Sequence, residues 1–324
     1  MAYTSTASAL PWKATSAKRQ SSSCTTLTQR KEWSTLTDDE QAAYIDAELC
    51  LMGTEPQLGT IDVAKSLWDE LQYIHLENTP VAHAVGQFLP WHRGYVTLHE
   101  RLLNTYCDYP GPTPYWNETT DVGDIAGSVL FTGTTNFGGN GEDGDGCVVD
   151  GPFANRTLSF TRASTASDSC LSRGFSDRDL EGASQSIIDE CMAMGDYSTA
   201  WQCIHGDPHA AGHGGVAGTM VDVVLSPGDP LFYMHHGWID YLWWKWQNED
   251  LDTRLTEMDG NNVPDADWIA MNSLEPSASL TDYFGDDGNV TTLNHTLYYM
   301  ELMANLTVAD VMDVTGDTVC AEYV

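Results

Sequence analysis

Positive charge is what this chain has least of. Only 14 of its 324 residues are Lys or Arg, against 47 Asp or Glu, for a formal net charge of -33. Such a surface repels phosphate backbones and acidic lipid, which excludes nucleic acid and anionic membranes as partners. No uninterrupted apolar run reaches the roughly 18 residues that a membrane span needs. No Cys-x-x-Cys pair is present, which removes the common zinc and thioredoxin-like arrangements. There is no internal repeat. The opening residues, MAYTSTASALPWK, have neither the basic start nor the apolar core of a signal peptide, so the sequence reads as a mature form whose leader has been removed.

What the chain does have is enough apolar material, 42% of its residues, for a large core. Residues 1–23 are rich in Ser, Thr and Ala and read as a flexible N-terminal arm, with Lys18-Arg19 a candidate processing site; residues 24–324 read as a single domain. Eight cysteines, an even number, predict disulfides and an oxidising compartment. Five sequons, at Asn117, Asn155, Asn289, Asn294 and Asn305, agree, and the expected location is extracellular after secretion.

Periodicity predicts a mainly α chain. Thr37 to Glu40 form a cap and acidic first turn, and helices are expected over about 60–77, from His92 to Cys107, over 180–194, and from near Phe232. Residues 78–90, with two prolines and Gly86, read as a loop holding His83. The Gly- and Asp-rich stretch 133–146 reads as a long surface loop whose acids are solvated rather than calcium-binding. Beyond Leu251 short strands and loops are expected.

Histidine is concentrated in two places. His75, His83, His92 and His99 lie upstream, and His205, His209, His213, His235 and His236 downstream. His209 and His213, four apart, share one helical face and can chelate one ion. Ala210, Ala211 and Gly212 between them leave no glutamate of the zinc-peptidase kind. A third ligand is available from His235 or His236, and Asp240, four residues beyond His236, is placed to accept a hydrogen bond from that pair. His75, His83 and His92 form a second triad, while His99 fits a core position better. Three neutral imidazoles per ion and no carboxylate favour copper or zinc, and redox chemistry excludes zinc.

The segments FLPWHRGY (Phe88 to Tyr95) and DPLFYMHHGWIDYLW (Asp229 to Trp243) closely resemble the two copper motifs of the tyrosinase, catechol oxidase and molluscan-type haemocyanin family. PYWNE (Pro114 to Glu118), FGGNG and CVVDGPFAN are similar to fungal members. The resemblance implies a central four-helix bundle with long loops and a few short β-strands, holding a binuclear type 3 copper site. It implies His75, His83 and His92 at the first copper, His209, His213 and His236 at the second, with His235 as a neighbour and Phe232 packed beside the metals. Two copper ions are then the cofactor, O2 the co-substrate and small phenols the partners: two catechols become two o-quinones as O2 is reduced to two waters.

Within the family, monophenol hydroxylation goes with an Asn after the first ligand of the second copper and a nearby Glu that together hold a water. Here Ala210 follows His209, Gly214 follows His213, and Gln202 is the expected occupant of the water-holding position. The resemblance therefore implies a catechol oxidase with weak or no tyrosine hydroxylation. The alternatives are a tyrosinase or an o-aminophenol oxidase; an oxygen carrier or a zinc-binding glycoprotein is less favoured. Val223 matches the position lining the entrance, and Gly214 is expected to leave the mouth open. Val81 stands where many fungal members have a thioether-forming Cys, so His83 is expected to be unlinked. No C-terminal lid domain is expected.

Overall fold

A computed structural model describes residues 24–142, 146–274 and 285–324, so the expected arm over 1–23 and the tip of the Gly-rich loop lie outside the described residues. Helix α1 (Asp38–Gly53) starts where the sequence predicts, on a reciprocal cap. Thr37 Oγ1 accepts from Glu40 N at 3.2 Å, and Glu40 Oε2 accepts from Thr37 N at 2.8 Å.

Helix α2 (Leu67–Ala82) begins and ends later than the predicted 60–77. Upstream, the backbone N–H groups of Gln57, Leu58 and Gly59 wrap the buried carboxylate of Glu70, which holds that stretch as a loop. At the other end the helix runs through Pro80. Asn78 and Thr79 donate side-chain hydrogen bonds to the carbonyls of Ile74 and His75, at 2.8 and 2.7 Å, across the turn the proline disturbs. His83 is consequently the C-cap of α2 rather than part of a free loop. Helix α3 (Phe88–Cys107) starts a turn before the expected His92 and is buried on all sides over its first three turns. The helix predicted over 180–194 is divided into Asp177–Leu180, a tight turn at Glu181–Ala183, and α4 (Gln185–Met192).

Helix α5 (Tyr197–Ile204) runs into a π turn, His205–His209, and then α6 (Ala210–Val216). Helix α7 (Leu231–Asn248) begins at the Asp229, Pro230 corner. Asp229 caps it by accepting from Leu231 N at 3.0 Å and is paired on both oxygens by the fully buried Arg173, which also donates to the Phe137 and Gly138 carbonyls. One ion pair thereby fixes the irregular 133–174 region to the start of α7. Helices α2, α3, α6 and α7 form the bundle, with α1 packed against α2 and α3; a further short helix, α8 (Ala266–Asn272), follows α7 in the chain.

The strands are short, as expected. β1 (Thr28–Arg30) pairs in parallel with β4 (Ala321–Tyr323), and β2 (Thr296–Leu297) pairs antiparallel with β3 (Leu306–Thr307). All eight cysteines are paired, as Cys24–Cys320, Cys50–Cys107, Cys147–Cys170 and Cys191–Cys203. The first closes the β1–β4 ribbon, and the second ties α1 to the end of α3.

Behind that ribbon lies the main charged network of the core. Arg30, fully buried, donates to both oxygens of Glu100 at 2.8 and 2.9 Å and to Asp240 Oδ2 at 2.8 Å. Asp240 also accepts from Arg93 Nε and from the Tyr323 hydroxyl, both at 2.5 Å. Removing one partner strands buried charge, at a cost of about 3–5 kcal/mol. Arg30→Leu is therefore expected to lower unfolding stability by roughly that amount in a guanidinium titration. A loss below about 1 kcal/mol, the size of a surface pair, would contradict the role assigned to the network.

Candidate metal centre

The bundle brings the two histidine groups of the sequence face to face. His75 comes from α2, His83 from its C-cap and His92 from the second turn of α3, and their ring nitrogens lie within 4.8 Å of one another. His209 from the π turn, His213 from α6, and His235 and His236 from α7 form the second group within the same distance. The groups meet directly: His92 and His236 stack at 4.2 Å between centroids, and His83 lies 6.3 Å from His209. Phe232 is fully buried between them, 5.1 Å from the His75 ring and 4.2 Å from His236.

Backbone carbonyls orient most of these rings. His75 Nδ1 faces Val224 O at 3.2 Å, His83 Nδ1 faces Thr79 O at 3.1 Å, and His92 Nδ1 faces Phe88 O at 2.8 Å. His209 Nδ1 faces His205 O at 3.2 Å, and His213 Nδ1 faces Met220 O at 2.5 Å. A carbonyl only accepts, so each Nδ1 carries the proton and each Nε2 presents a bare lone pair. The Nε2 atoms of His75, His92 and His209 are buried with no protein partner. Buried polar atoms are normally paired, so a set of converging orphan lone pairs is what a cation would satisfy.

His235 and His236 differ in kind. His235 Nδ1 faces Glu118 Oε1 at 2.5 Å, and its Nε2 is an orphan like the others. His236 has no partner on either nitrogen. Glu118 comes from the PYWNE segment, and Gly212 makes room for it: a Cβ there would fall 2.3 Å from both Glu118 Oε1 and His235 Nδ1. The small residue between His209 and His213 is thus required by the group behind them. Gly94 in FLPWHRGY plays the corresponding part in α3. Its missing side chain admits the Tyr299 hydroxyl, which donates to Trp91 O at 3.0 Å.

One second-layer expectation is corrected. Asp240 accepts no hydrogen bond from His235 or His236; Arg93, Arg30 and Tyr323 hold it instead. It lies on the side of α7 that faces α3 and the ribbon, and two buried guanidinium groups there outcompete a neutral imidazole. His99 is a core residue, between Glu48 Oε2 at 3.1 Å and Thr113 Oγ1 at 3.0 Å and stacked on Tyr233. Ala210 and Gln202 are exposed, and Val223 is half-buried against Val224 and Phe160. A Cβ on Gly214 would meet Asp179 Cβ at 3.1 Å, so a larger residue there presses on that turn. Val81 is buried, and no cysteine is free to link to His83. Of the sequon asparagines, Asn155, Asn289, Asn294 and Asn305 are exposed, while Asn117 is half-buried and donates to Glu32 at 3.3 Å.

His205 is a residue whose role went unassigned in the sequence. Its half-buried ring stacks on His209 at 5.1 Å and meets the Phe88 ring edge-on at 4.5 Å.

Burial holds the whole set uncharged. Desolvation lowers His75 to about 3 and His205 and His213 to about 4, and drives His83, His92, His209, His235 and His236 well below their usual value, with the neighbouring imidazoles adding to it. The centre is therefore a cage of neutral nitrogen donors at neutral pH, suited to copper and poor for magnesium or calcium.

Two facing histidine groups, one of three rings and one of four, inside a four-helix bundle define a binuclear, type 3 copper class of protein. Residues 65–249 match the common central domain of tyrosinase, and the chain belongs to the tyrosinase family of copper oxidoreductases. The tyrosinase-like protein phomQ1 of Diaporthe leptostromiformis is 31% identical over 325 residues, covering 93% of this chain and 78% of its own. The N-acetyl-6-hydroxytryptophan oxidase ivoB of Emericella nidulans is 28% identical, covering 91% of each. In fold, a variant polyphenol oxidase from Thermothelomyces thermophila superposes with a TM-score of 0.78 at 24% identity, over 92% of this chain and 89% of that one.

Two outcomes are expected. The unfolded histidines protonate near pH 6.5 while the folded ones resist until about 3 to 4 where values are fixed. The unfolded state then binds more protons, so metal-free protein should be steady above about pH 6.5 and lose stability as pH falls toward 4, measured by denaturant midpoints. Copper analysis of two variants addresses the α7 pair. His236→Ala is expected to retain about one copper per chain where the parent holds two, while His235→Ala keeps two but binds about 10–100-fold more weakly. The reverse pattern would assign the ligand to His235.

Proposed function

We propose that this protein oxidises o-diphenols to o-quinones with O2 as the electron acceptor, with weak or no hydroxylation of monophenols. The reading is carried by the neutral histidine cage with its converging orphan lone pairs. In it His75, His83 and His92 hold one copper and His209, His213 and His236 the other. Bound copper supplies the electron transfer between substrate and O2.

The chain's own residues do the rest. The Nδ1 bonds to Val224, Thr79, Phe88, His205 and Met220 hold the imidazoles in the tautomer that leaves Nε2 free to ligate. Phe232, Phe88 and Trp91 surround them and keep water out. Glu118 fixes His235 from behind. Selectivity for diphenols follows from what stands beside the second half-site. A phenol with a pKa near 10 must lose a proton to an acceptor at the site. Ala210 and Gly214 have none to offer, and Gln202 is exposed. A catechol ionises more readily and does without.

The tyrosinase alternative rests on His205, the extra neutral imidazole against His209. An o-aminophenol is the third candidate substrate, and the named indole substrate of the Emericella nidulans relative illustrates how varied such phenols are. Four disulfides and five sequons support a secreted protein; among the described residues no helix is long and apolar enough to cross a membrane.

Oxygen uptake on catechol, tyrosine and 2-aminophenol, with copper content measured in parallel, tests the assignment. Catechol is expected to turn over at least about 100-fold faster than tyrosine, the scale of one well-placed proton acceptor. Ala210→Asn with Gln202→Glu should narrow that gap. Prompt tyrosine oxidation without a catechol primer would favour the tyrosinase reading, and Tyr oxidation lost in His205→Ala would trace it to that imidazole.

A further inference from the structure

Helix α8 has no fully buried residue, yet it is fixed firmly against the centre. Its N-cap Asp265 accepts from the Trp268 backbone N–H at 2.8 Å. The chain leading into it is bonded to the turn that follows His83: Gly86 N donates to Asn261 O at 2.8 Å, and Gln87 Nε2 to Asn262 O at 3.0 Å. Thr291 braces both, with its backbone N–H on Gly260 O and its hydroxyl on Gln87 Oε1. This tether places the half-buried Trp268 ring 6.4 Å from the His83 ring with the two planes only 4° apart.

Among the described residues, no other aromatic ring from beyond α7 lies against a histidine of the centre. The indole N–H of Trp268 is not one of the buried unpaired indole N–H groups of the described residues. One turn along, Met271 is 82% exposed, so the apolar surface continues outward from Trp268. Burying a tryptophan completely would explain it as core; this one is only half-buried, beside a histidine of the centre.

We propose that Trp268 is a specificity-determining residue, whose ring, held parallel to that of His83 at the edge of the centre, receives the second ring of fused-ring o-diphenols. The proposal rests on the o-diphenol reading above. It makes the preferred substrates larger than a single catechol ring, because a one-ring guest at the metals stops short of the indole whereas a two-ring guest overlaps it. Stacking of a flat ring on an aromatic side chain is strong enough to change affinity by about tenfold.

The test uses the copper-loaded full chain with catechol and 2,3-dihydroxynaphthalene as substrates. Trp268→Ala is expected to raise KM for the naphthalenediol about tenfold, leaving KM for catechol and kcat for both within about twofold; Trp268→Phe should recover much of the loss. Equal changes for both substrates, or none, would overturn the proposal. A fall in copper content together with kcat for both would do so as well, by showing Trp268 to be only a shield for His83. Calorimetric binding of 1-naphthoate against benzoate gives a readout without turnover, and the parent's preference for naphthoate should vanish in Trp268→Ala. If the parent failed to oxidise catechol, the o-diphenol reading would fall while this binding ratio still judged the tryptophan.

Discussion

The structure depends on keeping seven imidazoles uncharged at close range. At ring separations of 4 to 6 Å, protonating any one of them would place a cation in a dry site among nitrogen lone pairs, and burial opposes that more than any neighbour does. The requirement explains features that look unrelated. The first three turns of α3 are buried on every side because they are the wall of the dry compartment. Among the described residues, Glu118 is the carboxyl bonded to a ring of the centre, and it is itself pushed well above its usual range by burial. The arginines that enter the core are each spent on a carboxylate before they reach the centre, as Arg93 and Arg30 are on Asp240 and Arg173 on Asp229.

The parts of this arrangement that follow from spacing along one helix were legible in the sequence. His209 and His213 share a face because they are four apart, and the capped start of α1 reads directly from Thr37 and Glu40. The family resemblance of FLPWHRGY and DPLFYMHHGWIDYLW agreed with the fold and with the meeting of the two histidine groups. What was not legible depended on partners distant in sequence or on a local defect. Asp240 has the right spacing for His236, but spacing says nothing of Arg93 and Arg30 on the other side. Gln202 is seven residues before His209, which on an uninterrupted α-helix is the same face. The π turn at His205–His209 adds a residue and rotates Gln202 out to solvent, leaving His205 against the ring. Pro80 read as a helix stop because proline usually is one, and the side-chain bonds of Asn78 and Thr79 that carry α2 past it have no sequence signature of their own.

Two glycines show how the motifs encode shape as well as ligands. Gly94 and Gly212 each occupy a position where one added carbon would strike a functional oxygen or nitrogen: the Tyr299 hydroxyl in one case, the Glu118–His235 contact in the other. They are as necessary to the centre as the residues beside them, though neither touches the histidine lone pairs.

The pairing of β1 with β4 has a consequence for the order of assembly. Arg30 and Tyr323 meet on Asp240, in the same helix as His235 and His236, so the brace on that helix is made from nearly the first and nearly the last of the described residues. A chain emerging from the ribosome holds all its histidines long before it holds residue 323. Until strand β4 arrives, Asp240 lacks the Tyr323 hydroxyl, and Arg30 lacks the paired strand that holds it against α7. A contact of such long range closes late. The Cys24–Cys320 disulfide closes the same ribbon covalently and keeps that long-range brace shut.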